Sequence, residues 1–170
     1  LGECEAQVKR ATAELRTFAY LLHPPALEAL GLARAVQDYA EGFAKRSGIR
    51  VEFTVEENFV RFAAETELAL FRVLQESLGN LHRHSGTATA TIRLACDAEG
   101  VTLEVRDTGR GLEEAQLQAL CHGHASLGVG IAGMHERLRL LGGRLEIEPA
   151  LPGLRVRATL PIAVGGGEDI

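Results

Sequence analysis

Apolar residues along the chain recur at helical spacing in some segments and at strand spacing in others. Residues 3–22 carry apolar side chains at three- and four-residue intervals, and so does the segment from about residue 27 to 46. Pro24 and Pro25 separate these two predicted helices, because proline lacks the amide donor and excludes helical geometry in the preceding residue. Gly48 follows where a C-terminal cap is expected.

The remaining pattern alternates strands with helices. Two-residue alternation predicts strands at 49–55, 88–96, 101–107, 144–149 and 154–161, and helical spacing predicts helices at about 64–83 and 130–141. Each strand keeps polar residues at alternate positions, whereas a sheet buried on both faces would show continuous apolar runs. The sequence therefore predicts a two-layer α/β sandwich, with helices covering one face of the sheet.

Composition narrows the class of protein. The 170 residues fit one domain with a short extra element, and 46% hydrophobic residues can form a core. A net charge of −5 argues against a nucleic-acid surface. No apolar run approaches the ~18 residues needed to span a bilayer, so no direct membrane contact is expected. Met134 is the only methionine, which indicates a piece of a longer protein.

The cysteines favour a reducing compartment. Cys4, Cys96 and Cys121 are an odd number without paired spacing, which does not suit a disulfide framework. His122 and His124 follow Cys121, but no second cysteine pair completes a four-ligand zinc site. We therefore expect no structural zinc.

Three short motifs carry the candidate chemistry, and their order is more informative than any one of them. They are Glu76-x3-Asn80 on a predicted helix, Asp107-x-Gly109-x-Gly111 after a strand, and Gly128-x-Gly130 before a helix. Together they supply an amide for a metal, a carboxylate for a base, and glycines that permit close backbone approach.

The first motif places polar side chains on one face of a helix. Residues four apart differ by only ~40° around the axis, so Glu76, Asn80 and His84 share a side. A solvated face would look similar, but asparagine is a poor helix former. The amide of Asn80 suits Mg²⁺ that also binds nucleotide phosphates. Glu76 is the candidate general base. Arg83 and His84 are candidate nucleotide contacts, with a plain surface position as an equal alternative for both.

The second motif predicts recognition of adenine. Asp107 stands where a strand ends, and its carboxylate can accept a hydrogen bond from the exocyclic amine of adenine, where guanine presents a carbonyl. Gly109 and Gly111 would let the backbone pass close to the base. An ordinary turn is the alternative, since Asp-x-Gly is common turn chemistry.

The third motif predicts a phosphate cradle. Gly128 and Gly130 precede a helix whose first amides lack partners within the helix and can face an anion. A simple tight turn is the alternative. Ile131 and Met134 follow as candidate nucleotide contacts, and Met134 could pack either against the base or in the core.

These motifs resemble a known superfamily. The segments QESLGNLHRHSG (75–86), VRDTGRGL (105–112) and LGVGIAGMHERLRLLGGRLEIE (127–148) are similar to the N, G1 and G2 boxes of an ATPase domain. DNA gyrase, a heat-shock chaperone, histidine kinases and the mismatch-repair protein MutL share that domain. Residues 21–53 resemble bacterial two-component sensor histidine kinases of the NarX- and DesK-like branch. The resemblance extends from about residue 12 to 162.

The resemblance implies a fold and an activity. It implies a Bergerat-type mixed sheet at 26–162, preceded at 1–25 by the second helix of a dimerisation hairpin and followed at 163–170 by a tail. The implied reaction transfers the γ-phosphoryl group of MgATP to a histidine, for relay to a response regulator. The full-length protein would be a homodimer, and this chain would belong to the cytoplasmic portion of a sensor that can be anchored in a membrane. Residues 112–127 would form a lid over ATP.

The chain departs from the family pattern at several positions. His23 is the only histidine upstream of the boxes, and it precedes two prolines, so we expect the acceptor histidine to lie outside this chain. Half a hairpin should leave the chain monomeric or weakly associated. Ile131 and Leu154 stand where leucine and threonine are usual. An anti-sigma-factor type of serine kinase is an alternative, although it lacks the hairpin segment. A non-catalytic nucleotide-sensing or partner-binding module is another.

Overall fold

The computed structural model describes residues 25–98, 100–112 and 129–162. Its helices are α1 (Pro25–Leu30), α2 (Leu32–Ser47), α3 (Ala64–Asn80) and α4 (Val129–Leu140), and a π-helical turn (Leu81–Ser85) follows α3. Its strands are β1 (Arg50–Val55), β2 (Thr89–Cys96), β3 (Gly100–Asp107), β4 (Arg144–Pro149) and β5 (Leu154–Pro161). Within these ranges no helix combines the length and apolar character that crossing a membrane requires.

The strands form one mixed sheet in the order β1-β2-β3-β5-β4. β1 runs parallel to β2, and the other neighbours are antiparallel. Helices α3 and α4 pack on the inner face. The outer face carries ion pairs such as Arg157 with Glu104, joined at 2.7 Å. The predicted two-layer α/β sandwich is therefore confirmed, because one face of the sheet is apolar and covered while the other is charged.

Helix α3 lies at the centre of the core. Phe71, Leu74 and Leu78 on this helix are fully buried, as their helical spacing predicts. They pack among inward-facing strand residues, which occupy alternate positions: Ala90, Ile92, Leu94, Val101, Leu103, Val105, Ala158 and Leu160. The two polar ends of α3 are therefore held in place by a buried middle.

The predicted single helix at 27–46 is wrong, because the structure divides it at Gly31 into α1 and α2. Gly31 has φ 82°, a conformation that glycine adopts readily, and a Cβ there would lie 2.6 Å from Cδ of Arg61. Arg61 donates to the carbonyl of Glu28 at 3.2 Å and pairs with Glu67, whose carboxylate is buried. Because the apolar spacing continues across Gly31, periodicity alone did not reveal the break.

The end of α3 also differs from the prediction. A regular helix was expected to about residue 83, but the last turn widens into the π-helical segment Leu81–Ser85. The Ser85 hydroxyl donates to the Leu81 carbonyl at 2.7 Å, and the Ser85 carbonyl accepts from the Arg110 amide at 3.0 Å. The wide turn is thus joined to the segment that follows β3, which brings the first two sequence motifs together.

Candidate functional site

A cavity of about 400 Å³ opens between α3, α4 and the strand ends, within the usual size range of small-molecule sites. Most of the predicted site residues line it: Glu76, Asn80, Arg83, His84, Asp107, Gly111, Gly130, Ile131 and Met134. Gly109 does not belong to this lining, and Gly128 lies outside the described residues. Residues 113–127 of the predicted lid also lie outside them.

The polar end of the cavity is built by α3 and its π-helical turn. Nη2 of Arg83 donates to Oδ1 of Asn80 at 2.9 Å and lies 3.5 Å from Oε1 of Glu76. The Glu76 side chain is 34% exposed and that of Arg83 is 57% exposed. The first motif and Arg83 therefore form one hydrogen-bonded group, with a carboxylate, an amide oxygen and an exposed cation lining the same cavity.

Helix α4 approaches this group closely at Gly130. A Cβ at Gly130 would lie 2.1 Å from Oε1 of Glu76, so any side chain there would displace the carboxylate. Gly130 lies in the first turn of α4, where backbone amides lack partners within the helix. The glycine thus sets the contact between a helix start and the candidate general base.

Asp107 ends β3 and lines the same cavity, and only 7% of its surface is exposed. Its Oδ1 accepts a hydrogen bond from the Gly109 amide at 2.7 Å. Burial raises the pKa of the Asp107 carboxyl, and hydrogen bonds from the amides of Gly109 and Leu154 oppose that rise without cancelling it.

Gly153 supports Asp107 and was missed in the sequence. It has φ 99°, and a Cβ there would lie 1.9 Å from the backbone oxygen of Asp107. The Pro152-Gly153 pair signals a turn between two strands. Nothing local in the sequence connects that turn to Asp107, because the contact joins residues far apart in the chain.

The glycines of the second motif have different surroundings. A Cβ at Gly109 would lie 2.4 Å from the carbonyl oxygen of Ser85, so its small size is required by packing on the π-helical turn. Gly111 has φ 71° and lines the cavity. Of these two glycines, only Gly111 lies where its backbone can meet a bound molecule.

One wall of the cavity is apolar. It is formed by Val105, Ile147, Leu154 and Val156 from three neighbouring strands, together with Met134. Met134 is 1% exposed, and its Sδ lies 4.0 Å from the Ser77 hydroxyl, so it belongs both to the core and to the cavity wall. The strand residues were predicted as alternating positions, but the alternation did not show which of them line a cavity.

This cavity fits a nucleotide. An apolar slot that ends in a buried carboxylate suits a flat base carrying a hydrogen-bond donor. Arg83 and His84 line the same cavity and can meet an anionic tail. Asn80 Oδ1 beside the Glu76 carboxylate is a hard oxygen donor set of the kind that Mg²⁺ prefers.

The family comparison agrees with the fold and the cavity, which together define a nucleotide-binding α/β domain. Residues 65–164 match the family described as histidine kinase-, DNA gyrase B-, and HSP90-like ATPase. The chain belongs to this family and carries the ATPase domain of sensor histidine kinases, as the sequence motifs predicted.

Proteins of similar sequence are named as histidine kinases. Sensor histidine kinase NarS of Mycobacterium tuberculosis is 32% identical over 163 residues, which is 95% of this chain and 37% of NarS. The histidine-protein kinase/phosphatase DegS of Brevibacillus brevis is 31% identical over 147 residues, covering 86% of this chain and 36% of DegS. The chain thus spans little more than a third of these relatives.

A solved structure shares the fold. The Erythrobacter litoralis EL346 blue-light activated histidine kinase matches with a TM-score of 0.69 at 18% identity, over 94% of this chain and 57% of that one. The family relationship favours the histidine kinase interpretation over the serine kinase and the non-catalytic module.

Proposed function

We propose that this chain is the ATP-binding catalytic domain of a sensor histidine kinase. It would transfer the γ-phosphoryl group of MgATP to a histidine, which passes it to an aspartate of a response regulator. One observation carries the proposal: a single cavity is lined both by the buried carboxylate of Asp107 and by the Glu76–Asn80 pair.

Asp107 is proposed to select adenine. The exocyclic amine of adenine donates to the carboxylate, whereas guanine would present a carbonyl to it. The desolvated position makes a missing partner unfavourable, which strengthens the discrimination. Ile131, Met134 and the strand residues of the apolar wall would contact the base, with Gly111 at its edge.

The polar end is proposed to hold the phosphates and Mg²⁺. Asn80 would hold the metal, which when bound supplies positive charge against the phosphates. One ring nitrogen of the acceptor histidine would attack the γ-phosphorus as the bond to the bridging oxygen breaks and ADP leaves, and Glu76 would accept the proton that the other ring nitrogen loses. Arg83, His84 and the backbone around Gly128 and Gly130 would contact the phosphate oxygens.

The chain is proposed to consist of a catalytic domain, a dimerisation element before it and a tail after it. Residues 26–162 form the ATP-binding domain, 1–25 the second helix of a dimerisation hairpin, and 163–170 a tail. The full-length protein would be a homodimer that works with a response regulator. We place the reaction in the cytoplasm, because that is where its ATP is available.

Calorimetry with ADP and GDP, each with and without Mg²⁺, tests the nucleotide assignment. We expect ADP to bind more tightly than GDP by at least about tenfold, equivalent to ~1.4 kcal/mol, and Mg²⁺ to strengthen ADP binding. Equal affinity for GDP would contradict the proposal.

Radiolabelled ATP with the acceptor hairpin of a relative then tests phosphoryl transfer. Labelled phosphohistidine supports the proposed transfer, and phosphoserine or no transfer would favour the alternatives.

A further inference from the structure

A single nitrogen of Arg83 contacts both groups of the proposed metal end. Nη2 lies 2.9 Å from Oδ1 of Asn80 and 3.5 Å from Oε1 of Glu76. The guanidinium lies along α3 over Gly79, where a Cβ would be 3.6 Å from the same nitrogen. The side chain of Arg83 therefore turns back from the π-helical turn across the face that presents Asn80 and Glu76.

A divalent cation and this guanidinium cannot share the position. Both are attracted by the same amide and carboxylate oxygens, and they repel each other at such short range. Because the Arg83 side chain is 57% exposed, it can leave the pair without uncovering a buried group. Nucleotide phosphates would offer the displaced guanidinium an alternative anionic partner in the same cavity.

We propose that Arg83 is an internal counter-ion that competes with Mg²⁺ for Asn80 and Glu76, so that the metal binds well only together with a nucleotide. The inference rests on the proposed function and adds a second role for Arg83, which is to control when the metal can bind. Without a nucleotide, the guanidinium holds Asn80 Oδ1 and excludes the cation. With a nucleotide, it moves to the phosphates and releases the oxygen. Metal and nucleotide thus strengthen each other's binding reciprocally.

Binding of Mn²⁺ alone, measured by the electron paramagnetic resonance of the free ion, tests this role. Arg83→Met keeps an unbranched, flexible side chain but removes the guanidinium. Arg110→Met is the matched control, because Arg110 lines the same cavity and its backbone contact to Ser85 survives the substitution. The double variant Asn80→Ala with Arg83→Met removes the oxygen for which the two cations compete.

We expect Arg83→Met to bind Mn²⁺ about tenfold more tightly than the wild-type chain, and Arg110→Met to change the affinity less than about threefold. The gain should disappear in the double variant. ADP should enhance Mn²⁺ binding strongly in the wild type and less in Arg83→Met.

Equal effects of the two arginine substitutions would reduce the result to general charge and overturn the inference. So would an unchanged or weaker affinity in Arg83→Met. ADP titration of the wild-type chain is read separately: if ADP does not bind, the proposed function fails, whereas the Mn²⁺ comparison decides only the role of Arg83.

Discussion

The buried carboxylate of Asp107 lowers the folding stability of the protein when it is ionised at neutral pH. Burial raises its pKa, so the folded state holds the proton more tightly than the unfolded chain does. Stability contributed by this group therefore falls as pH rises from the unfolded pKa through the folded pKa, and it is lowest once the group is ionised. A buried anion in a cavity is typical of a binding group, since packing alone would favour an uncharged residue.

Replacing Asp107 with asparagine should separate stability from binding. Asp107→Asn keeps the side-chain size and an acceptor for the Gly109 amide, so the melting temperature at neutral pH should stay the same or rise. ADP affinity should fall about 10- to 150-fold, because a charge-assisted hydrogen bond is lost. Calorimetry measures the affinity. In the wild type, affinity should also decrease as acid protonates Asp107, with a midpoint above the ordinary pKa of an aspartate because burial raises the pKa of this carboxyl. The variant should lack this dependence, and normal ADP affinity in it would contradict the assignment.

Glu76 and Asn80 should fail in different ways. Asn80→Ala should remove the effect of Mg²⁺ on nucleotide affinity, because the amide ligand is gone. Glu76→Gln should leave ADP affinity nearly intact but slow phosphoryl transfer to an acceptor histidine by about 10²- to 10⁴-fold, the usual contribution of a general base. Calorimetry and radiolabelled transfer measure the two effects. Equal loss of nucleotide binding in both variants would refute this division of roles.

Two connections depend on glycines with positive φ angles, which the local spacing of apolar residues does not predict. Gly31 separates α1 from α2, and the loop containing Gly153 joins β4 to β5 beside Asp107. Both glycines have positive φ, and at both positions a Cβ would collide with a residue distant in sequence. These loops are therefore determined by tertiary contacts that helical or strand periodicity does not contain.

Substitution of Gly153 should therefore affect both stability and the site. Gly153→Ala places a Cβ against the backbone oxygen of Asp107, which cannot move aside as the end of a flexible side chain could. We therefore expect a loss of about 2 kcal/mol or more in the free energy of unfolding. Nucleotide affinity should fall as Asp107 shifts. Gly133→Ala is the control: its Cβ would meet nothing within 4 Å on α4, so stability should rise by up to about 1 kcal/mol. Urea unfolding measures both. Equal stabilities would show that the Asp107 contact is relaxed without cost.

At the scale of the whole molecule, α3 connects two distant features. Its first turns carry Glu67, which pairs with Arg61 beside α1, and its last turns carry Glu76 and Asn80 at the cavity. The fully buried middle of the helix joins these ends rigidly. The contacts near α1 and the cavity are thus connected through a single element.

The chain by itself should bind ATP without labelling itself. His23 is followed by two prolines, and an acceptor must approach the γ-phosphate in line before its pKa matters. Incubation with radiolabelled ATP, followed by analysis for acid-labile phosphate, should show no phosphohistidine at His23. The control adds a relative's acceptor hairpin, which should become labelled. Stoichiometric labelling of His23 would overturn this interpretation of the chain.

Local features of the sequence were enough to predict most elements and the family. The alternation in β2 and β3 predicted their bounds to within about a residue, because strand patterns reflect which face of the sheet is buried. Gly48 was predicted as a cap, and its φ of 73° together with the hydrogen bond that its amide donates to the Ala44 carbonyl confirms it. The three motifs predicted the ATPase family correctly.

Tertiary structure alone decided how those motifs meet. The π-helical turn, the support of Asp107 by Gly153, the contact of Gly130 with Glu76 and the bridge from Arg83 to Asn80 were not visible in the sequence. Periodicity records only which side of an element faces the core. Contacts between residues far apart in the chain depend on how elements pack, and that packing brings described residues of all three motifs into one cavity.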